Sequence, residues 1–107
     1  MADVIQAIED IKQYDKDVDE QLVTSIFRSL GPVVYNRDTR YVACSDPYEL
    51  EMVRDGFVKN QLGIEGTDSE LSDAVQQVCR VMSKSHFKLR VTFYYLLVKK
   101  YGKQNLF

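Results

Sequence analysis

Five segments of this chain repeat apolar residues at spacings of three and four positions, and this period restricts the fold more than any other feature. Side chains at that spacing lie on one face of an α-helix, so each segment predicts an amphipathic helix with a buried stripe. The stripes are Val4, Ile8 and Ile11; Leu22, Ile26 and Leu30; Leu50, Val53 and Phe57; Leu71, Val75 and Val78; and Leu89, Phe93 and Leu96.

The string "SDPYELE" carries signals that begin a helix. Asp46 is predicted to be the N-cap, because its carboxylate can accept a backbone N–H of the first turn, and Ser45 is an alternative cap. Pro47 then takes the first helical position, where no N–H is needed. Glu49 stands three residues after Asp46 and would complete a capping box.

A second helix start lies in "TDSE", where Thr67 is followed three positions later by Glu70, which predicts another capping box. Gly56 lies inside the third stripe, although glycine costs a helix about 1 kcal/mol relative to alanine. We expect close approach of another helix to explain why it is tolerated.

Two segments are ambiguous. "PVVYNRDTRYVACS" breaks the helical period, and it predicts either two short strands near 33–35 and 40–43 that form a hairpin, or an ordered irregular loop. The run "VTFYYLLV" has the composition of a strand. Helical spacing and the ending "KKYG" favour a helix over 89–98 instead, since cations and glycine suit a helix C-terminus.

These elements predict a mainly α, compact single-domain bundle of about five helices, with a short non-helical insert or hairpin near 32–45. The 107 residues fit one helical domain, 1–107, in which 1–12 could be a variable N-terminal extension. No apolar run approaches the roughly 18 residues of a membrane span, and the start of the chain does not resemble a secretory signal. We therefore expect a cytoplasmic protein whose two cysteines stay reduced.

The charge is unevenly distributed along the chain. Residues 1–79 contain all 16 acidic and 7 of the 14 basic residues, for a net charge of −9, whereas residues 80–107 have a net charge of +7. We expect these charges to compensate within the molecule or between subunits, and a protein partner is a second interpretation.

The basic residues proposed for an anionic partner are Lys84, Lys88, Arg90, Lys99, Lys100 and Lys103. Weak nucleic-acid binding is the alternative function, although an isoelectric point near 5.3 argues against it.

Catalytic chemistry has little support in the sequence. Cys44, beside Ser45 and Asp46 in "CSD", could act as a nucleophile with His86 as base. We prefer the interpretation in which Asp46 caps a helix and Cys44 packs against the core as a small hydrophobe. His86 is the only histidine, and no cysteines or histidines have ligand spacing, so neither a metal nor another cofactor is expected.

The strings "NRDTRYVACSD", "ELEMVRDGFVKNQLG" and "KLRVTFYYLLVKKYGK" together resemble a family of small bacterial proteins, catalogued as domain of unknown function two-eight-five-three. The resemblance extends over about residues 12 to 104. It implies a bacterial cytoplasmic source and a mostly helical fold, and it transfers no activity, substrate or site residue. The sequence thus favours a non-catalytic protein-interaction or structural domain, and a thiol enzyme at Cys44 is the least favoured alternative.

Overall fold

The computed structural model describes residues 3–107, and they form a helical bundle. Its α-helices are α1 (Val4–Ile11), α2 (Glu20–Leu30), α3 (Pro47–Met52), α4 (Asp68–Val81) and α5 (Arg90–Tyr101). A π-helix, Val53–Gln61, continues α3, and 3₁₀ turns lie at Gly31–Tyr35 and Gln104–Leu106. The predicted mainly α fold with about five helices is confirmed.

Helix α5 runs through the middle of the bundle, and α1, α2 and α4 all pack against it. Its buried residues are Val91, Thr92, Phe93, Tyr94, Tyr95, Leu97 and Val98. The prediction of a helix over 89–98 is confirmed, with α5 beginning at Arg90. The strand alternative is wrong because helices surround this run, so a residue on any face of α5 meets apolar neighbours rather than a neighbouring strand.

The insert near 32–45 is not a hairpin. Its first part forms the 3₁₀ turn Gly31–Tyr35, which Gly31 opens with φ of 66°. Its second part pairs with the residues just before α5: the Val42 N–H donates to the Lys88 carbonyl over 2.8 Å, and the Arg90 N–H donates to the Arg40 carbonyl over 2.7 Å. The irregular-loop interpretation is correct, since these bonds satisfy the backbone without a second strand inside the insert.

The third stripe forms one continuous helix that changes its hydrogen-bond pattern after Met52. In a π-helix the bonds run from residue i to i+5, so residues four and five positions apart share a face. Phe57 and Val58 are consequently both buried. The expectation of a close helix beside Gly56 is wrong, because a Cβ added there would meet nothing within 4 Å.

The two predicted helix starts behave differently. Thr67 and Glu70 form a reciprocal capping box. The Thr67 hydroxyl accepts the Glu70 N–H over 3.2 Å, and the Glu70 carboxylate accepts the Thr67 N–H over 2.9 Å. Asp46 caps α3 by accepting the Tyr48 N–H over 3.0 Å, and Pro47 follows. Glu49 does not complete a box there. Its carboxylate is paired with Arg90, and the Asp46 N–H donates to a carbonyl instead.

Polar side chains of α5 fasten the N-terminal part of the chain to the core. The Tyr95 hydroxyl donates to Asp15 over 2.6 Å and accepts the Asp19 N–H over 3.0 Å. One turn earlier, the Thr92 hydroxyl donates to Asp10 over 2.5 Å. Helix α1 also buries Ala7 and Ile11. The helical part of the N-terminal segment therefore belongs to the packed domain, whereas Met1 and Ala2 lie outside the described residues.

We predict that the Tyr95 phenol ionises late and that its hydroxyl stabilises the fold. Burial, together with the bond to Asp15, raises the pKa of Tyr95 to about 12. Because this pKa is higher than in the unfolded chain, where it is about 10, the contribution is complete below pH 10 and is lost as the pH rises towards 12. Tyr95→Phe should lower the free energy of unfolding at pH 7 by about 1–3 kcal/mol, measured by urea denaturation.

The matched control is Tyr35→Phe, since Tyr35 is 61% exposed. This variant should unfold like the wild type, and it should keep the full late change in tyrosine absorbance near pH 12, which Tyr95→Phe should reduce by one tyrosine. Equal stability of the two variants would show that the bonds of the Tyr95 hydroxyl contribute nothing.

Candidate functional site

A cleft of about 380 Å³ opens between the end of α2, the first 3₁₀ turn, the α3–π helix and the start of α5. Its apolar lining residues are Leu30, Val33, Met52 and Phe57. Polar groups from Thr39, Glu49, Arg90 and Tyr94 also line it. A volume of this size with apolar walls and a few convergent polar groups is typical of binding sites in proteins. A larger depression beside α2 is lined mainly by polar side chains such as Glu20, Gln21 and Arg28.

Arg90 links three parts of the chain at this cleft. Its Nε donates to the Thr39 carbonyl over 2.6 Å, its Nη1 to the Tyr94 hydroxyl over 3.1 Å, and its Nη2 to the Tyr41 carbonyl over 3.2 Å. Nη2 also donates to the Glu49 carboxylate. The side chains of Arg90 and Glu49 are only 11% and 18% exposed. The planar guanidinium suits this role because its donors point in several fixed directions.

The surroundings of Arg90 keep its guanidinium charged and the neighbouring Tyr94 phenol neutral. Burial alone would lower the pKa of Arg90, but interactions with Tyr94 and Glu49 outweigh burial and raise it. Burial also raises the pKa of Tyr94, although Arg90 acts in the opposite direction. Tyr94 therefore keeps its hydroxyl proton at neutral pH and acts as a hydrogen-bonding group rather than a base.

One wall of the cleft is an aromatic stack with an open rim. The rings of Phe57 and Tyr94 lie parallel, with 3.8 Å between their centroids and an angle of 15°. Met52 is 65% exposed at the rim, and Gly56 leaves the space beside it unfilled. Tyr48, 77% exposed, shares a shallow depression with Met52, Glu51 and Asp55 next to the cleft. Phe57 and Tyr94 are themselves only 3% and 8% exposed, so the surface open to an apolar group from outside is the rim at Met52 and Gly56.

Cys44 lies outside this cleft and is bonded to Cys79 of α4 in a disulfide, with 6.0 Å between the Cα atoms. The expectation of two reduced thiols is therefore wrong for this structure, and so is the arrangement of Cys44 as nucleophile and His86 as base. A thiolate is the attacking species in such enzymes, and neither sulfur carries one here. Helix packing brings together two cysteines that are 35 residues apart, which no local pattern in the sequence indicates.

The six basic residues proposed for an anionic partner do not form one surface. Arg90 is inside the cleft, where its charge is paired. Lys84 and Lys88 precede α5, whereas Lys99, Lys100 and Lys103 lie at its far end, about 15 Å away at 1.5 Å per helical residue. The tyrosines Tyr94 and Tyr95 between them are buried and offer no faces for nucleic-acid bases to stack on.

Within residues 3–107, no group of three or more histidine, cysteine, aspartate and glutamate side chains is arranged to hold a metal ion. None of the helices in this range is long and apolar enough to cross a membrane.

The family model described as "Protein of unknown function (DUF2853)" matches residues 6–105. The chain belongs to this family. The resemblance to it predicted from the sequence is confirmed, and the matched region of this DUF2853 chain includes most of α1 as well as the cleft and both cysteines. No curated protein matches the chain. The family description assigns no activity, so the function of this DUF2853 protein has to be argued from its own residues.

Sequence reasoning missed the Arg90–Glu49 pair because each residue had a simpler local explanation. Glu49 fits a capping box, and Arg90 belongs to a run of basic residues. One signal was present: Arg90 stands at the start of the most apolar segment, where a charge requires a partner if it is buried. The partner is 41 positions away, so only the packing of α3 on α5 identifies it.

We predict that Arg90→Met lowers the free energy of unfolding by about 3–5 kcal/mol, because Glu49 would be left largely buried and unpaired. Arg90→Lys should also lower the free energy of unfolding, since an ammonium group cannot donate in the several fixed directions of a guanidinium. Urea denaturation followed by circular dichroism measures both. Arg28→Met is the control on an exposed arginine of α2, and a loss no larger than that of the control would contradict this assignment.

We predict no free thiol in the purified protein. Unfolding in denaturant with iodoacetamide and no reductant should add no label by mass spectrometry, whereas prior reduction should add two. Cys79→Ser should show one label without reduction, which controls for access to Cys44. Reduction should also lower stability by about 4 kcal/mol, the chain-entropy estimate for a closed loop of this length. Two labels without reduction would contradict the disulfide.

Proposed function

We propose that this protein is a non-catalytic interaction domain that binds an apolar segment of a partner protein in the cleft beside the π-helix. The observation that carries this proposal is the exposed rim of Met52 and Gly56 at a cleft that the Phe57–Tyr94 stack also lines. Methionine adapts its shape to different partners, and aromatic rings supply large contact areas in protein interfaces.

The charges around the cleft suggest the kind of segment that binds. Glu51 and Asp55 lie beside Met52 in the adjoining depression. Glu51 is an exposed carboxylate whose nearest cation, Arg54, is 3.9 Å away. A partner segment with one large apolar side chain and a neighbouring lysine or arginine would complement both features, since opposite charges at an interface rim favour association.

The polar groups of the cleft support binding more than catalysis. Four hydrogen bonds of the Arg90 side chain already go to groups of this protein, so little of its donor capacity is available to a reacting substrate. The Tyr94 hydroxyl is both buried and bonded to Arg90. These groups shape and stiffen the cleft, which reduces the entropy lost when a partner binds.

The compartment and the bacterial source stay predictions. The sequence-based expectation is the cytoplasm, whereas a disulfide is rare in reducing compartments. Iodoacetamide labelling of Cys44 and Cys79 decides between the two. It is done here on protein taken directly from its native cells. Two labelled thiols in that sample would favour a reducing compartment.

The test compares three tagged forms of the full chain in affinity purification from native cells. Met52→Asp places a charge on the apolar rim at an exposed position, so the fold should be retained, as checked by circular dichroism and thermal unfolding. Val81→Asp is the matched control, because Val81 is 57% exposed on α4 and does not line the cleft. We expect proteins that are enriched with wild type and Val81→Asp to be lost with Met52→Asp.

A partner that remains bound to Met52→Asp as strongly as to the wild type would contradict binding in the cleft. A candidate partner is then confirmed with purified proteins by calorimetry. The Met52→Asp change should weaken its binding by about 10-fold or more, corresponding to loss of a well-packed interface contact.

A further inference from the structure

A second apolar surface lies between α1 and the turn before α5. Phe87 is 71% exposed, and its ring lies 5.3 Å from that of Tyr41. A depression of about 320 Å³ separates these rings from α1, whose residues Glu9 and Asp10 form its other side. Ile5, 69% exposed, precedes Glu9 by one turn of α1. We call this region the Phe87 surface.

The two sides of the Phe87 surface carry opposite charges. The α1 side carries the carboxylates of Glu9 and Asp10, of which Glu9 pairs with Lys12 over 3.1 Å and Asp10 accepts bonds from neutral side chains. The other side has Arg40, whose guanidinium lies 5.0 Å from the centre of the Tyr41 ring, and the turn that carries Phe87 also contains the exposed Lys84. Within residues 3–107 neither Arg40 nor Lys84 has a carboxylate within 4.0 Å, although the chain has an excess of acids. Lys84, which is exposed, and the part of the Arg40 guanidinium that is not buried are therefore available to an external carboxylate, whereas the Arg40 Nε is buried without a partner.

We propose that the Phe87 surface binds a second copy of this chain in a two-fold symmetric dimer. In such a dimer the same surface of both copies forms the interface. Each contact between a residue of one copy and a residue of the other therefore occurs twice. A surface that is acidic on one side and basic on the other is complementary to itself when rotated by 180°. The acidic α1 of one copy then faces Arg40 and Lys84 of the other, and both Phe87 rings are buried between them.

The surface is independent of the cleft that carries the proposed function. No residue lines both the cleft and the depression at α1. Dimer formation would leave Met52 free, so the two proposals predict different effects of the same variants. In this dimer the uneven charge distribution of the sequence would favour association, because α1 belongs to the acidic part of the chain and Lys84 to the basic part.

The test is the solution mass of the full chain by sedimentation velocity, from low micromolar to about 200 µM and at low salt. We expect a shift from 12.4 kDa to twice that mass with concentration, and a weaker dimer at high salt. Phe87→Asp should be monomeric throughout, whereas Met52→Asp should dimerise like the wild type. A wild type that stays monomeric, or a Phe87→Asp variant that dimerises normally, would overturn the proposal.

Charge reversal tests the symmetric pairing. Glu9→Lys should raise the dimer dissociation constant about tenfold, because it places a third cation opposite Arg40 and Lys84. Glu65→Lys is the matched control, since Glu65 is exposed, lies before α4 and changes the net charge equally. An unchanged constant for Glu65→Lys supports the assigned surface, and equal shifts for both variants would overturn it.

Discussion

The guanidinium of Arg90 is the interaction on which the rest of the structure depends. It joins the insert, through the carbonyls of Thr39 and Tyr41, to the start of α5 and to Glu49 of α3. The insert has no regular hydrogen-bond ladder of its own, so these bonds hold it in place together with the backbone bonds to Lys88 and Arg90 and the disulfide at Cys44. A largely buried charge requires all of these partners at once, and this requirement couples the three segments into one arrangement.

The other side of α5 is fixed by a second set of polar bonds. The hydroxyls of Thr92 and Tyr95 reach Asp10 and Asp15, so α1 and the loop after it are held to the same helix that Arg90 connects to α3. Helix α5 thus has apolar contacts for stability and a few polar bonds that define the position of each neighbour. Buried polar groups specify geometry because a buried donor or acceptor without a hydrogen-bond partner lowers the free energy of unfolding.

The cleft arises from this arrangement together with the π-helix. The change of bonding after Met52 turns both Phe57 and Val58 towards the core, and Phe57 then stacks on Tyr94 beside Arg90. Gly56 leaves the space beside it at the edge of the cleft unfilled. The disulfide between Cys44 and Cys79 holds the start of α3 to α4, so the helix that forms one wall of the cleft is anchored at its N-terminus.

The sequence by itself determined the helices and most of their ends, because these depend on local periodicity and on caps within three or four residues, as at Thr67 and Glu70. It also indicated the family. Only the tertiary structure decided that Glu49 pairs with Arg90, that Cys44 meets Cys79 and that the third helix changes its bonding. These features depend on partners 35 or more residues away or on how a helix fits its core, and local spacing contains no information about either.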